Sequence, residues 1–79
     1  MKFFVVRVYF NQEGKQSNSI QCYTEMPSAQ KRFYSIIATD IDNDSVVYEM
    51  VQIVNGDGIT LESYIIEHPV IEPDAPEEA

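Results

Sequence analysis

Lys2-Phe3-Phe4-Val5-Val6-Arg7-Val8-Tyr9-Phe10 is the stretch on which the fold turns. Apart from Lys2 and Arg7, every residue in it is β-branched or aromatic, the composition of a strand. Side chains alternate between the two faces of a strand. Phe4, Val6, Val8 and Phe10 make one face, wholly apolar. Phe3, Val5, Arg7 and Tyr9 make the other, mixed but still greasy. The uniform set is expected to face the core, and the set containing Arg7 to face away from it.

Working outward, Asn11 to Asn18 is polar, contains Gly14 and reads as a hairpin loop. Ser19 to Thr24 reads as a second strand, with Ile20 and Cys22 inward and Gln21 and Tyr23 outward. Pro27 suits a first helical turn, where its missing N–H leaves nothing unsatisfied. Thr24 and Ser28 are alternative caps. The helix is expected from about Pro27 to Thr39 or Ile41, because Ala29, Phe33, Ile36, Ile37 and Ile41 share one face. Lys31 and Arg32 stand near its start, the unfavourable end of the dipole for a cation. Their expected partners are Glu25 or the acids of the second half.

Val46 to Val54 reads as a third strand and Ile59 to Ile66 as a fourth, joined by the turn signal Asn55-Gly56-Asp57-Gly58. The inward face of the third strand is open on sequence: it is either Val47, Val51 and Ile53 with Glu49, or Val46, Tyr48, Met50 and Val54 with Gln52. The pattern predicts an α+β fold, β-β-α-β-β, a four-stranded antiparallel sheet with one helix packed on one face. Residues 1–67 form the single compact domain. Residues 68–79, with three prolines and an excess of acid, are expected to be a flexible acidic tail.

Seventy-nine residues are enough for one domain with a thin margin of stability. No stretch approaches the ~18 apolar residues of a membrane span, and Arg7 and the polar run after it interrupt any leader-like pattern. The expectation is a cytoplasmic protein without membrane contact. Cys22 is the only cysteine, so an internal disulfide is excluded, and it is expected to be a small buried apolar residue. The net charge is −8, unevenly placed. All five basic residues fall in the first 32 positions, against only Glu13 and Glu25. The remainder carries eleven acids and no Lys or Arg. Direct binding to nucleic acid is therefore disfavoured, since phosphate contact depends on Lys and Arg. A basic protein surface is the more natural partner.

The chemical motifs fail on inspection. Asp40, Asp42 and Asp44 imitate the start of a calcium loop, but Ser45 stands where its glycine belongs and Val51 where its closing Glu belongs. His68 is the only histidine and sits beside Pro69, without a partner in sequence to orient it. There is no nucleophile elbow, phosphate loop or zinc-ligand spacing. No enzyme, cofactor or metal site is expected.

One helix covers only one side of a sheet. The uncovered side is expected to expose Phe3, Val5, Arg7, Tyr9, Tyr23 and Tyr64, and a contiguous apolar patch of this kind marks an interaction surface. The first expectation is thus a small acidic protein-interaction module, or homodimer, that binds a protein partner or itself through the open face of its sheet. The second is an acidic inhibitor that occupies the basic nucleic-acid-binding groove of another protein, through Asp40, Asp42, Asp44, Glu49, Asp57 and Glu62.

Overall fold

The computed structural model of the protein describes residues 1–71. Five elements follow one another: β1 (Phe3–Asn11), β2 (Gln16–Tyr23), α1 (Met26–Asp40), β3 (Val46–Asn55) and β4 (Thr60–Glu67). The strands form one antiparallel sheet in the order β2-β1-β3-β4. The helix packs on one face of it, as the sequence pattern predicts. β1 is central, paired on both edges, by β2 on one side and β3 on the other.

The two hairpins share one device. Asn11 donates its N–H to the Lys15 carbonyl at 3.0 Å, and Gly14 donates to the Asn11 carbonyl at 3.0 Å. Asn11 Oδ1 accepts from the N–H groups of Glu13 and Lys15, both at 2.9 Å. Asn55 repeats the pattern, with its N–H on the Ile59 carbonyl at 2.9 Å and its Oδ1 accepting from Asp57 and Ile59 at 2.9 and 3.0 Å. Gly14 and Gly58 close these turns at φ +82°, a conformation that side chains with a Cβ resist. The first loop is shorter than expected from its polarity, since Gln16 to Asn18 belong to β2. The ladder to β1 holds those polar residues in place, although they bury nothing.

The core lies between α1 and the central strands. Ala29, Phe33 and Ile36 pack on Val5 of β1 and on Val51 and Ile53 of β3, with Phe3, Tyr23, Met26 and Ile37 at the border. Each large side chain fully buried there contributes about 1.5–3 kcal/mol. The helix begins after Glu25 without a side-chain cap, Pro27 occupying its first turn. Neither Thr24 nor Ser28 serves as the cap.

The facing of the sheet is the reverse of the expected one. The side beneath the helix is that of Phe3, Val5, Arg7 and Tyr9. Strand pairing carries the same side through Tyr23 and Gln21 on β2, through Ile53, Val51 and Glu49 on β3, and through Glu62, Tyr64 and Ile66 on β4. Phe4, Val6, Val8 and Phe10 face the other way. Arg7 does not mark a solvent face: its charge is paired with Asp40 and Glu49 beneath the helix. The helix stripe also differs at its end. Asp40 continues the buried line of Ala29, Phe33 and Ile36, while Ile41 is exposed.

The chain does not leave the fold at His68. Its backbone N–H donates to the Val47 carbonyl at 2.8 Å, and Gln12 holds the next residues, bonding the Pro69 carbonyl and the Ile71 N–H. The rest of the expected tail, 72–79, lies outside the described residues.

The paired glycines give an internal control. Gly58→Ala is expected to lower unfolding free energy by about 1–2 kcal/mol, because it forces a Cβ into the left-handed region. At Gly56 a Cβ would meet only ordinary contacts with the Lys2 backbone, at 3.8 and 3.9 Å. Gly56→Ala is expected to change stability by less than Gly58→Ala, which urea denaturation of the two variants measures.

Candidate interaction surface

Beneath the helix, β1, β3 and the end of α1 bring three charges together. Arg7 Nη2 donates to Asp40 Oδ2 at 2.7 Å, and Arg7 Nε donates to Glu49 Oε2 at 2.7 Å. Glu49 is fully buried and Asp40 is 3% exposed. The guanidinium also stacks 4.1 Å from the ring centre of Tyr9, which pairs across the sheet with Glu49. Arg7 thus joins the helix end to both central strands.

Two carboxylates and one guanidinium leave one negative charge too many for a buried site. Glu49 Oε1 has no hydrogen-bond partner among the described residues. Desolvation first, then its contact with Asp40, push the Glu49 carboxyl up to about 7, against the opposing pull of Arg7. A proton on Glu49 balances the charge of the cluster. A cleft of about 90 Å³ opens beside Arg7, Asp40 and Thr39 and offers water a route to the group.

The opposite side of the sheet is built as a grid by the strand register. Its rows are Cys22–Phe4–Val54–Thr60, Ile20–Val6–Gln52–Ser63, Asn18–Val8–Met50–Ile65 and Gln16–Phe10–Tyr48–Glu67. Ten of these sixteen positions are apolar and only Glu67 carries a charge. Phe10 and Tyr48 set their rings 6.2 Å apart. Ile20 and Ile65 are more than half exposed, at 65% and 52%. From strand spacing and rise, the grid covers roughly 500 Å².

The residues named from sequence divide sharply. Phe3, Val5 and Tyr23 belong to the packed side under α1, Arg7 and Tyr9 to the charge cluster there, and Tyr64 to the same side near its margin. The structure does not place these six on an open face. Cys22, expected inside, is exposed on the open grid. The six acids of the second expectation fall apart as well. Asp40 and Glu49 are buried. Glu62 accepts from Gln30 Nε2 at 2.8 Å and Tyr34 Oη at 2.7 Å on the helix side, and these bonds hold it below the usual carboxylate range. Asp57 is in the β3–β4 turn, at the opposite end of the sheet from Asp42 and Asp44. Arg32 finds a neutral partner, the Gln21 amide oxygen at 2.7 Å, in place of an acid.

His68 does not begin a free tail: both its ring nitrogens are engaged. Nδ1 is 2.7 Å from the Val46 carbonyl and Nε2 is 2.8 Å from the Ile41 carbonyl. Two carbonyls both need donors, which only the imidazolium supplies. These bonds, Val46 foremost, raise its pKa, with Asp44 and Asp42 assisting. His68 therefore ties the end of β4 to the loop between α1 and β3.

The open grid was missed because an arginine was read as exposed by default. The correcting signal was present: Glu49 is the one charge on an apolar face of β3, as Arg7 is on β1. Opposite charges on two adjacent apolar faces are a sign of burial together.

Comparison with known proteins adds no relative: no family model matches the chain, nor does any curated protein or solved structure.

The raised pKa of Glu49 has a measurable consequence. The folded state holds Glu49 protonated up to about pH 7, whereas the unfolded chain releases that proton near 4.5. The stability this group contributes is therefore full below ~4.5 and is lost as pH rises through 7, by on the order of 3 kcal/mol. Glu49→Gln keeps an uncharged side chain at all pH values. Relative to that variant, the wild type is expected to lose stability between pH 5 and pH 8 in chemical denaturation. A stability difference that does not vary with pH contradicts the raised pKa of Glu49.

Proposed function

We propose that this chain is a small protein-interaction module whose open sheet face docks the apolar surface of a partner protein. The observation that carries the reading is the grid itself. In a chain with 23% charged residues, sixteen contiguous solvent-facing positions hold one charge. A sheet face that meets only water normally alternates to polar residues. Scattered exposed hydrophobes are ordinary, but ten apolar positions gathered in one grid of roughly 500 Å² make a contiguous patch of the kind found at binding sites.

The rim gives the partner a second property. At the end of the grid formed by Phe10, Tyr48 and Glu67 stand Glu13 of the first turn and Asp42 and Asp44 of the loop after α1. An apolar patch bordered there by Lys or Arg complements this surface. Apolar contact supplies affinity, and the acids supply orientation and encounter rate. The broader expectation of a basic partner is retained in this form. The acidic-inhibitor surface drawn from sequence loses support, because two of its six carboxylates are buried.

The test is capture of partners from the native cell by the immobilised full chain, washed at low and at high salt. Val8→Asp places a charge at the centre of the grid. Ser17→Asp places one on the helix side of β2, at an exposed position. Partners retained through high salt are expected to disappear with Val8→Asp and to persist with Ser17→Asp, both variants melting as the wild type does. Equal capture by the two variants overturns the reading.

A further inference from the structure

The sheet has two edges, and only one of them is defended. Exposed edge strands present unpaired N–H and C=O groups, and proteins blunt them with charges, prolines, bulges or covering elements. β4 has such devices: its register slips at the Ile53/Val54 step of β3, Glu62 and Glu67 lie along it, and Pro69 follows. β2 has none. Gln16–Tyr23 contains no charge and no proline, and pairs with β1 over eight consecutive positions without a slip. Seven of its eight residues are exposed, and among the described residues no element lies outside it.

The ladder phase shows what this edge offers. Asn11 and Lys15 form a bonded pair at the turn. Alternation along the antiparallel ladder then gives Ser17, Ser19, Gln21 and Tyr23 the bonds to β1. Gln16, Asn18, Ile20 and Cys22 turn their N–H and C=O groups outward, toward no strand.

We propose that β2 pairs antiparallel with β2 of a second copy of this chain, about a two-fold axis at Ile20, to form a continuous eight-stranded sheet. Three observations choose this occupant and this register. With Ile20 opposite Ile20, the outward-turned residues meet as bonded pairs, Ile20 with Ile20 at the axis and Asn18 with Cys22 on either side of it. The same register sets Lys15 of each copy against Glu25 of the other, just beyond the strand ends, so charges complement twice. A shift of two residues either way loses that pairing. Finally, β2 belongs to the part of the chain that carries all five basic residues against two acids, whereas β4 lies in the part with eleven acids. Of the two edges, β2 is the one at which two molecules of charge −8 can approach.

The two-fold axis stands perpendicular to the sheet. Both helices then share one side and both open grids the other, giving one continuous, mostly apolar face of roughly 1,000 Å² across eight strands. A patch of that size reaches the area per partner typical of stable interfaces, which a single grid does not. The pairing does not depend on the partner-docking reading, and Val8→Asp is expected to leave it intact.

Asn18→Cys tests the register. It sets a thiol opposite the native Cys22 of the other copy, at the ~5.5 Å Cα separation of a bonded pair and within disulfide range. Within one chain, four strand residues hold these two thiols too far apart to join. Mild oxidation of the full-length variant is expected to give a covalent dimer cross-linked between positions 18 and 22. Ser17→Cys, whose side chain lies on the other face, is expected to give none. In parallel, wild-type mass by sedimentation is expected to rise from monomer to dimer with concentration. Lys15→Glu is expected to weaken that dimer at least several-fold, and the swap Lys15→Glu with Glu25→Lys to restore it. A wild type that stays monomeric at every concentration, or a dimer in which Asn18→Cys does not cross-link, overturns the proposal.

Discussion

Arg7 must be neutralised beneath the helix, and that requirement sets which way the sheet faces. An unpaired guanidinium under α1 would be strongly destabilising, and removing one partner of such a cluster typically costs about 3–5 kcal/mol. Glu49 from the neighbouring strand and Asp40 from the last turn of the helix supply the partners. Both are held by elements the cluster itself ties together. A domain of this size has a total stability of only about 4–12 kcal/mol, so breaking one partner of the cluster would remove a large part of it, while the apolar contacts of Ala29, Phe33 and Ile36 hold α1 on this face.

Everything on the other side follows from that choice. With Phe3, Val5, Val51 and Ile53 committed to the helix, alternation sends Phe4, Val6, Val8, Phe10, Tyr48, Met50 and Val54 outward. The protein is a two-layer structure whose sheet is greasy on both sides and covered on one. The edges are equally unequal, β4 interrupted and acidic, β2 uncharged and regular. Openness on one face and one edge is the property that the interaction readings use. The buried cluster accompanies the open face, and the strand order leaves β2 at an edge.

The elements and their order were legible in the sequence because they depend on local signals. Strong β-formers flank polar turns with Gly14 and Gly58, and Ala29, Phe33 and Ile36 keep helical spacing after Pro27. The facing of the sheet was not legible from any one strand. For β1 the two faces differ only by Arg7, and whether a single charge points in or out depends on partners 33 and 42 residues away. The third strand was left undecided for the same reason. Glu49 and Gln52 each mark one of its faces, and only the match of Glu49 to Arg7 chooses between them. His68 was missed because its carbonyl partners, Ile41 and Val46, are brought to it by the chain reversal through β3 and β4. Local pattern thus gave the architecture, and long-range charge pairing gave the sidedness that any surface reading needs.

The sidedness is tested most directly by the solvent accessibility of methyl groups, read from NMR line broadening by a soluble paramagnetic agent. The account predicts that Ile20, Ile65, Val6 and Val8 broaden strongly, while Val5, Val51 and Ile53 stay sharp. Strong broadening of Val5, Val51 and Ile53 with Val6 and Val8 protected would mean that Arg7 faces water, and the account would be contradicted at its base.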